Sequence, residues 1–355
     1  MIMANAYRDT FTHVLRNILS YNHTITDGIG FDSASLEVAV SPGRADSALG
    51  LIGKFISIYS HTYPIWRGFI NQIGINRGPY YTTIGPLSNI ANKIIVGYTD
   101  YDTGEKAFTS PISNDDSIIR YGTFCKVING GKIPATLASE NASTALEEMQ
   151  YPEVTDTFRQ NESSTIKIDA LGLGHLLKEY PYNNAADSTA YSHVIIQDVL
   201  SAQPDSLFST DYSNFVSTTL SLNTLQEDYK SADSIIKEAV EIGSDNNYPL
   251  SFGIYGQTAV LASPFENISE MGYIHVPGEN FVRTMTNHVI LPQFIRPGRT
   301  LIYSGVLKRF GGRGNLLGDG ATIIQGVSFT APDQFTINGS TLQTLSQKLA
   351  KQRGF

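Results

Sequence analysis

The stretch Lys93-Ile94-Ile95-Val96-Gly97-Tyr98 carries the clearest strand signal in this chain. Its β-branched and aromatic residues are typical of strands. Asp102-Thr103-Gly104 follows, and a second β-prone run covers Glu105–Thr109. Because an Asp followed closely by Gly suits a tight connection between two strands, these residues predict an antiparallel β-hairpin.

Outside this hairpin the sequence predicts both strands and helices. Ser117–Ile128 and Lys132–Leu137 flank Asn129-Gly130-Gly131 and predict a second hairpin. Elsewhere, apolar residues recur at gaps of three and four, which indicates helices. The predicted helices are an N-terminal helix over Asn5–Tyr21, a long amphipathic helix over Leu222–Ile242 and a C-terminal helix over Thr341–Gln352. Since helices and strand pairs are segregated, we expect an α+β fold with antiparallel β-hairpins and sheet.

The distribution of charge suggests a division of the chain. Between Glu140 and Asp169 there are seven acidic residues, against only Arg159 and Lys167. We interpret the middle of this stretch as a solvated connection with a short helix near Ala142–Met149. The expected regions are therefore 1–140, with the N-terminal helix and the hairpins, an acidic connection at 141–163, and an α+β region with the C-terminal helix at 164–355.

Composition excludes several classes of protein. At roughly 150 residues per domain, 355 residues suggest two domains or one large β-rich domain. Charged residues make up 16% and aromatic residues 10%, a combination that disordered chains do not have. The formal net charge of −8 argues against a protein that coats nucleic acid, so nucleic acid is not an expected partner. No apolar run reaches the length of a membrane span, and no secretory signal is visible, so we expect a soluble protein that is made inside a cell.

The motifs of enzymes are missing from the sequence. There is no nucleophile elbow, no phosphate-binding loop and no His spacing that spells out a zinc site. Cys125 lies in a strand-like run without a nearby His, which favours a structural thiol over a nucleophile. Gly172-Leu173-Gly174 opens a helix too short for a dinucleotide crossover, and Asp100–Glu105 suits a hairpin turn better than a calcium loop. The sequence therefore predicts no catalytic residues, no cofactor and no metal.

A basic segment lies towards the C-terminus. Five Arg and Lys residues occur between Arg296 and Arg313, and no acidic residue follows until Asp319. A solvated rim, a nucleic-acid contact and an interface with an acidic partner all fit this pattern. We hypothesise that the basic segment meets the acidic segment of a neighbouring subunit; solvation of both segments, or pairing within one subunit, are the alternatives. The residues predicted for this interface are Arg296, Arg299, Arg309 and Arg313 on the cationic side and Glu147, Glu148 and Glu153 on the acidic side.

The general character of the sequence resembles that of a known group. Ser, Thr, Asn, Gly and Tyr are abundant, and glycines interrupt β-like runs such as Ile119–Phe124 and Ile295–Thr300. In these respects the chain resembles virion structural proteins of tailed bacteriophages, whether shell (capsid), decoration or tail. The resemblance is compositional and covers the whole chain. It implies a non-enzymatic, self-assembling homo-oligomer that is made in the host cytoplasm and located in the virion, with copies of itself and other virion proteins as partners.

A second class of function is also compatible with the sequence. Tyr-rich β surfaces suit a polysaccharide- or receptor-binding module. However, Trp66 is the single Trp of the chain, which leaves few platforms for stacking against sugars. Electron microscopy of the purified protein separates the two, because rings, tubes or shells favour assembly and isolated globules favour the binding module.

Overall fold

Strands are the most abundant regular elements of the described residues, and in several of them buried residues alternate with more exposed ones. Along residues 30–39, Ala34, Leu36 and Val38 are buried, and the residues between them are half-buried. Because successive side chains of a strand point to opposite faces, this pattern places one face of the segment in the core. The computed structural model describes residues 2–8, 11–41, 45–158, 164–184, 188–203, 207–219, 221–224, 227–244, 250–263, 273–275, 281–284, 287–304, 319–331 and 334–341.

Strands outnumber helices in both halves of the chain. The strands of the first half are β1 (Ile2–Arg8), β2 (Phe11–Leu15), β3 (Ile18–Thr26), β4 (Gly30–Ala39), β5 (Phe55–Ser60), β6 (Tyr63–Arg77), β7 (Tyr80–Ile84), β8 (Lys93–Asp100), β9 (Lys106–Phe108), β10 (Ile112–Ser113), β11 (Cys125–Ile133), β12 (Val154–Phe158) and β13 (Ser164–Leu171). Those of the second half are β14 (Pro181–Asn184), β15 (Ser188–Tyr191), β16 (Ser221–Thr224), β17 (Glu227–Ser231), β18 (Ser251–Tyr255), β19 (Thr258–Ala262), β20 (Tyr273–His275), β21 (Val282–Thr284), β22 (Val289–Ile290), β23 (Thr300–Ser304), β24 (Asp319–Thr330) and β25 (Gln334–Thr341). The α-helices are α1 (Asp115–Tyr121), α2 (Ala135–Met149), α3 (Ser192–Ser201) and α4 (Ala232–Gly243), and short 3-10 turns cover Asp46–Leu51, Leu87–Asn89, Leu173–Lys178 and Pro292–Phe294.

Seventeen of the described strands join into one sheet. Its central path runs through β5, β6, β13, β4, β3 and β24, and each of these strands is antiparallel to the next. β6 is 15 residues long, so one of its edges is shared by β5 and then β7. β7 in turn pairs with β12, which places β12 at the margin of this part of the sheet.

A smaller sheet consists of β10, β8 and β11, with β9 also paired to β8. The antiparallel pairing of β8 with β9 confirms the first predicted hairpin. Helix α2 covers this sheet, because Ala138, Ala142 and Leu146 on one side of the helix pack against Ile94 and Val96 of β8.

The main core lies against the large sheet and extends to α3 and α4. Trp66 and Ile58 are fully buried in it, and so are Ile196 of α3 and Ile236 of α4. The 3-10 turn Leu173–Lys178 joins the same core. Fully burying one such side chain contributes about 1.5–3 kcal/mol, so these residues account for much of the stability of the fold.

The α+β prediction is wrong, because the chain is predominantly β and the predicted N-terminal helix is absent. Most of Asn5–Tyr21 lies in β1, β2 and the start of β3. β1 pairs with β2 on one edge and with β5 on the other. The pairing of β1 with these strands, one of which lies some 50 residues away, therefore outweighs the helical spacing of a few apolar residues. Tertiary contacts commonly override local preference in this way.

The predicted long helix is only partly correct. Its second half forms α4, which ends at the predicted stop, Gly243. The helix begins at Ala232 because the Ser231 hydroxyl caps it by accepting a hydrogen bond from the Ser234 N–H at 3.3 Å. The residues upstream pair as strands, β16 with β15 and β17 with β14. Of the predicted C-terminal helix, Thr341 ends β25 and the remainder lies outside the described residues.

The second predicted hairpin is also wrong. Its first arm is divided between helix α1 and the start of β11. Asn114 caps α1, since its side-chain oxygen accepts the Ser117 N–H at 2.9 Å, and two acidic residues occupy the first helical turn. Asn129-Gly130-Gly131 forms an irregularity inside β11, and that strand runs parallel to β8.

Candidate assembly surface

Strand β12 is the most exposed strand of the large sheet. All five of its residues are exposed, and Phe158 keeps 73% of its surface accessible. Among the described residues, β12 pairs only with β7, so its other edge carries backbone N–H and C=O groups without a strand partner. The ring of Phe158 packs edge-on against Tyr80 of β7, with centroids 5.9 Å apart, and Tyr80 is itself 63% exposed. An open strand edge beside exposed aromatic rings is a template for another polypeptide.

An apolar groove lies at the N-terminal end of β12. Its volume is about 970 Å³, and Ile119, Tyr151 and Val154 line it. All three side chains are at least half exposed, and Ile119 reaches 77%. We call these three residues, together with Tyr80 and Phe158, the β12 surface.

The acidic residues predicted for an interface lie on or near these elements. Glu147 and Glu148 are exposed in the last turns of α2, and Glu153 is exposed immediately before β12. None of the three forms an ion pair within the described residues. Their charges are therefore available to a partner.

Two of the four predicted arginines meet at a different place. Arg296 and Arg299 line a pocket of about 640 Å³ that is also bounded by β18 and β19. The guanidinium of Arg296 lies over the rings of Phe31 and Tyr255, at 5.1 and 5.4 Å from their centroids. That of Arg299 lies over Tyr273 at 5.4 Å. Arg309 and Arg313 lie outside the described residues.

Two backbone hydrogen bonds with Ile324 fix the turn that carries these arginines. Gly298 donates its N–H to the Ile324 carbonyl at 2.8 Å, and Ile324 donates its own N–H to the Arg299 carbonyl at 2.9 Å. Gly298 has a φ of 74°. A Cβ at Gly298 would lie 1.9 Å from the Ser251 hydroxyl oxygen, so only glycine allows this close approach.

Arg296 is largely buried in the pocket and has no carboxylate partner among the described residues. Burial lowers the pKa of Arg296. Electrostatic interactions with Tyr255 and Tyr273 raise this pKa and offset part of the effect. The buried acid beside the pocket is Asp27, and burial raises the pKa of its carboxyl group. Asp27 accepts hydrogen bonds from the Ser251 hydroxyl at 2.5 Å and from the Gly28 N–H at 3.1 Å, and it forms no ion pair with Arg296.

In the part of the chain that the structure describes, Arg296 and Arg299 do not meet the predicted acidic residues within one subunit. In the described part of the chain, no ion pair joins Arg296 or Arg299 to Glu147, Glu148 or Glu153. A contact between neighbouring subunits stays a prediction. The β12 surface was not predicted, because β12 lies in the stretch that was interpreted as an acidic connection.

The glycines that suggested a nucleotide loop have a packing role. A Cβ at Gly172 would lie 1.6 Å from the Phe31 carbonyl oxygen, and one at Gly174 would lie 2.6 Å from that of Ile29. The turn that follows Gly172 is fixed by a hydrogen bond of 2.7 Å between His175 Nε2 and Asp32 Oδ1. This bond is the largest of the effects that lower the pKa of Asp32.

The remaining motif interpretations concern Cys125 and the Asp100 turn. Cys125 is buried, and burial raises the pKa of its thiol to about 11, so the thiol is protonated at neutral pH. Asp100 accepts the N–H groups of Asp102 and Thr103, both at 2.9 Å, which closes the turn before β9. Among the described residues, no cluster of three or more metal-ligating side chains occurs, and no helix is long and apolar enough to span a membrane.

Comparison with known proteins reveals a distant structural similarity to tail proteins. No protein-family model and no curated protein matches the chain. The 43 kDa tail protein of prophage MuSo2 from Shewanella oneidensis is similar with a TM-score of 0.46 and 5% identity, over 96% of this chain and 97% of that chain. The prophage tail protein gp18 from Listeria monocytogenes EGD-e is similar with a TM-score of 0.43 and 9% identity, over 99% of this chain and 98% of that chain. The tail protein from Neisseria meningitidis MC58 is similar with a TM-score of 0.42 and 7% identity, over 94% of each chain.

All three of these similar structures are named as tail proteins. At identities of 5–9% the similarity concerns the general course of the backbone. It gives no role to any residue of this chain.

Proposed function

We propose that this protein is a non-enzymatic structural subunit of a bacteriophage tail, which assembles with copies of itself and with other virion proteins. The observation that carries the proposal is the β12 surface. An open strand edge flanked by Phe158 and Tyr80, beside an apolar groove, is a liability in a protein that stays monomeric. In an assembly the same features provide backbone hydrogen bonds and an apolar centre for the contact. The compositional resemblance covers shell, decoration and tail proteins alike, and the choice of a tail follows the names of the similar structures.

Phe158→Lys should weaken self-association. An exposed aromatic side chain that becomes buried at the centre of an interface contributes about 2 kcal/mol or more, which corresponds to roughly a 30-fold rise in the dissociation constant. Analytical ultracentrifugation over a range of concentrations measures this change.

The matched control for this experiment is Phe55→Lys. Phe55 is 49% exposed, but it lies in β5 and is paired on both edges, with Tyr7 of β1 and Phe69 of β6. This variant should associate like the wild type. Equal dissociation constants for Phe158→Lys and the wild type would contradict the role of the β12 surface.

The predicted pairing of charges between subunits is a further part of the proposal. Glu147 and Glu148 are exposed and unpaired in the described residues, and the cationic residues lie elsewhere in the chain. A heterologous contact joins two different surfaces and therefore extends into rings or tubes, and opposite charges would set its register.

Reversal of both glutamates to Lys should weaken assembly and reduce its sensitivity to salt. Exposed pairs contribute only about 0.2–1 kcal/mol each, so we expect a change of a few-fold in the dissociation constant at low ionic strength. Combination with Arg309→Glu and Arg313→Glu should restore part of the loss. Light scattering at two salt concentrations measures both effects, and unchanged assembly in the first variant would exclude the pairing.

A further inference from the structure

The pocket beside Arg296 and Arg299 contains more hydrogen-bond donors than the protein itself uses. The Nη1 atom of Arg296 makes only two long contacts, at 3.3 and 3.4 Å, with the carbonyl groups of Gln293 and Ile295. Its other guanidinium N–H groups have no hydrogen-bond acceptor among the described residues. The Ser263 hydroxyl lines the same pocket, is buried, and also lacks a partner within the described part of the chain. A buried donor that stays unsatisfied costs about 1–3 kcal/mol, and more where the group is charged.

The positive charge of the pocket is not compensated by any of the described residues that line it. Arg296 and Arg299 carry like charges, and no Asp or Glu is among the described residues that line the pocket. The carboxylate of Asp27 is engaged by Ser251 and Gly28. Two adjacent cations in a partly buried pocket favour an anionic ligand, because the ligand supplies both the missing acceptors and the missing charge.

We infer that this pocket binds a carboxylate group, with Arg296 and Arg299 as its cationic donors and the Ser263 hydroxyl as a third donor. The planar guanidinium group matches the two oxygens of a carboxylate. Phe31 and Tyr255 hold Arg296 by stacking, and the backbone bonds of Gly298 hold the turn, so the donors are positioned before the ligand arrives. A volume of about 640 Å³ accommodates one acidic side chain and its backbone. The inference deepens the proposed pairing of charges between subunits, on which it rests in part, because Arg296 and Arg299 are two of the cationic residues of that pairing. Binding measured below the concentration of self-association keeps its failure distinct from a failure of assembly.

Two sources of the carboxylate fit this chemistry, an acidic segment of a polypeptide and a free small acid. Calorimetric titration of the full-length protein at a concentration below its self-association distinguishes them. The probes are a blocked tri-glutamate peptide, acetate at matched carboxylate concentration, and a blocked tri-lysine peptide as the charge control. Saturable binding of tri-glutamate alone supports a polypeptide ligand, and equal binding of acetate supports a free acid.

Arg299→Gln should weaken this binding at least about tenfold, since a hydrogen bond to a charged group is lost. Ser263→Ala should weaken it less. The matched control is Arg120→Gln, because Arg120 is exposed on α1 and does not line the pocket. A thermal melt of each variant verifies folding, and Ser263→Ala remains as a second test if Arg299→Gln is unstable. No binding of either carboxylate probe, or unchanged affinity in both pocket variants, would overturn the inference.

Discussion

Ile236→Asp should strongly destabilise the fold. Ile236 is 2% exposed and packs in the main core from the middle of α4. Removal of a buried aliphatic side chain alone costs about 2–5 kcal/mol, and an unpaired carboxylate in the same place costs more. We therefore expect a loss of at least about 4 kcal/mol in the free energy of unfolding, measured by urea denaturation.

The same helix offers a matched control. Ile242 is 44% exposed near the end of α4, so Ile242→Asp adds a charge without burying it. Its cost should stay within about 1 kcal/mol, mostly from the unfavourable position of an acid near a helix C-terminus. If Ile236→Asp melts like the wild type, the apolar side of α4 is not part of the core.

Acidification should destabilise the protein through His23. Burial, with a smaller effect of Arg296, lowers the pKa of His23 from 6.5 to about 3. Above pH 6.5 the ring is neutral in both the folded and the unfolded chain, so the contribution of His23 to stability is fully present. Between pH 6.5 and about 3 the unfolded chain binds a proton that the folded chain does not, and each pH unit costs about 1.4 kcal/mol. The total loss should approach about 5 kcal/mol.

His23→Phe should remove this part of the pH dependence. Phe keeps a ring between Tyr21 and Phe329, although the Tyr21 hydroxyl loses the His23 Nδ1 atom that it contacts at 2.8 Å. The variant will be less stable at neutral pH, and the informative quantity is the slope of the unfolding free energy against pH. Asp27 and Asp32 titrate in both proteins, so the difference between the two slopes isolates His23. Equal slopes from about pH 6.5 to 4 would contradict the assignment.

The parts of the fold that were predicted correctly depend on neighbouring residues. Strands β8 and β9 pair across Asp102-Thr103-Gly104, so every residue that defines this hairpin lies within one short stretch. In contrast, β1 pairs with β5 about 50 residues later as well as with the adjacent β2, and β11 pairs with β8 about 30 residues earlier. The spacing of residues within one segment does not identify distant strand partners. For this reason the predicted N-terminal helix and the second predicted hairpin were both wrong.

The candidate sites show the same limit. The excess of cations around Arg296 and Arg299 is visible in the sequence, but the pocket also needs Ser251 and Ser263 from a hairpin some 40 residues earlier. In β12, three polar residues separate Val154 from Phe158, so the stretch lacks the apolar alternation that indicates a half-buried strand. Its exposure depends on where the sheet ends, which the local sequence does not specify.

Electron cryo-microscopy of the purified protein at increasing concentration tests the assembly role most directly. We predict rings or tubes whose reconstruction places the β12 surface, including Phe158 and Tyr80, at the boundary between subunits. Monomers at every concentration, with and without other virion proteins, or assemblies in which β12 faces solvent, would contradict this role.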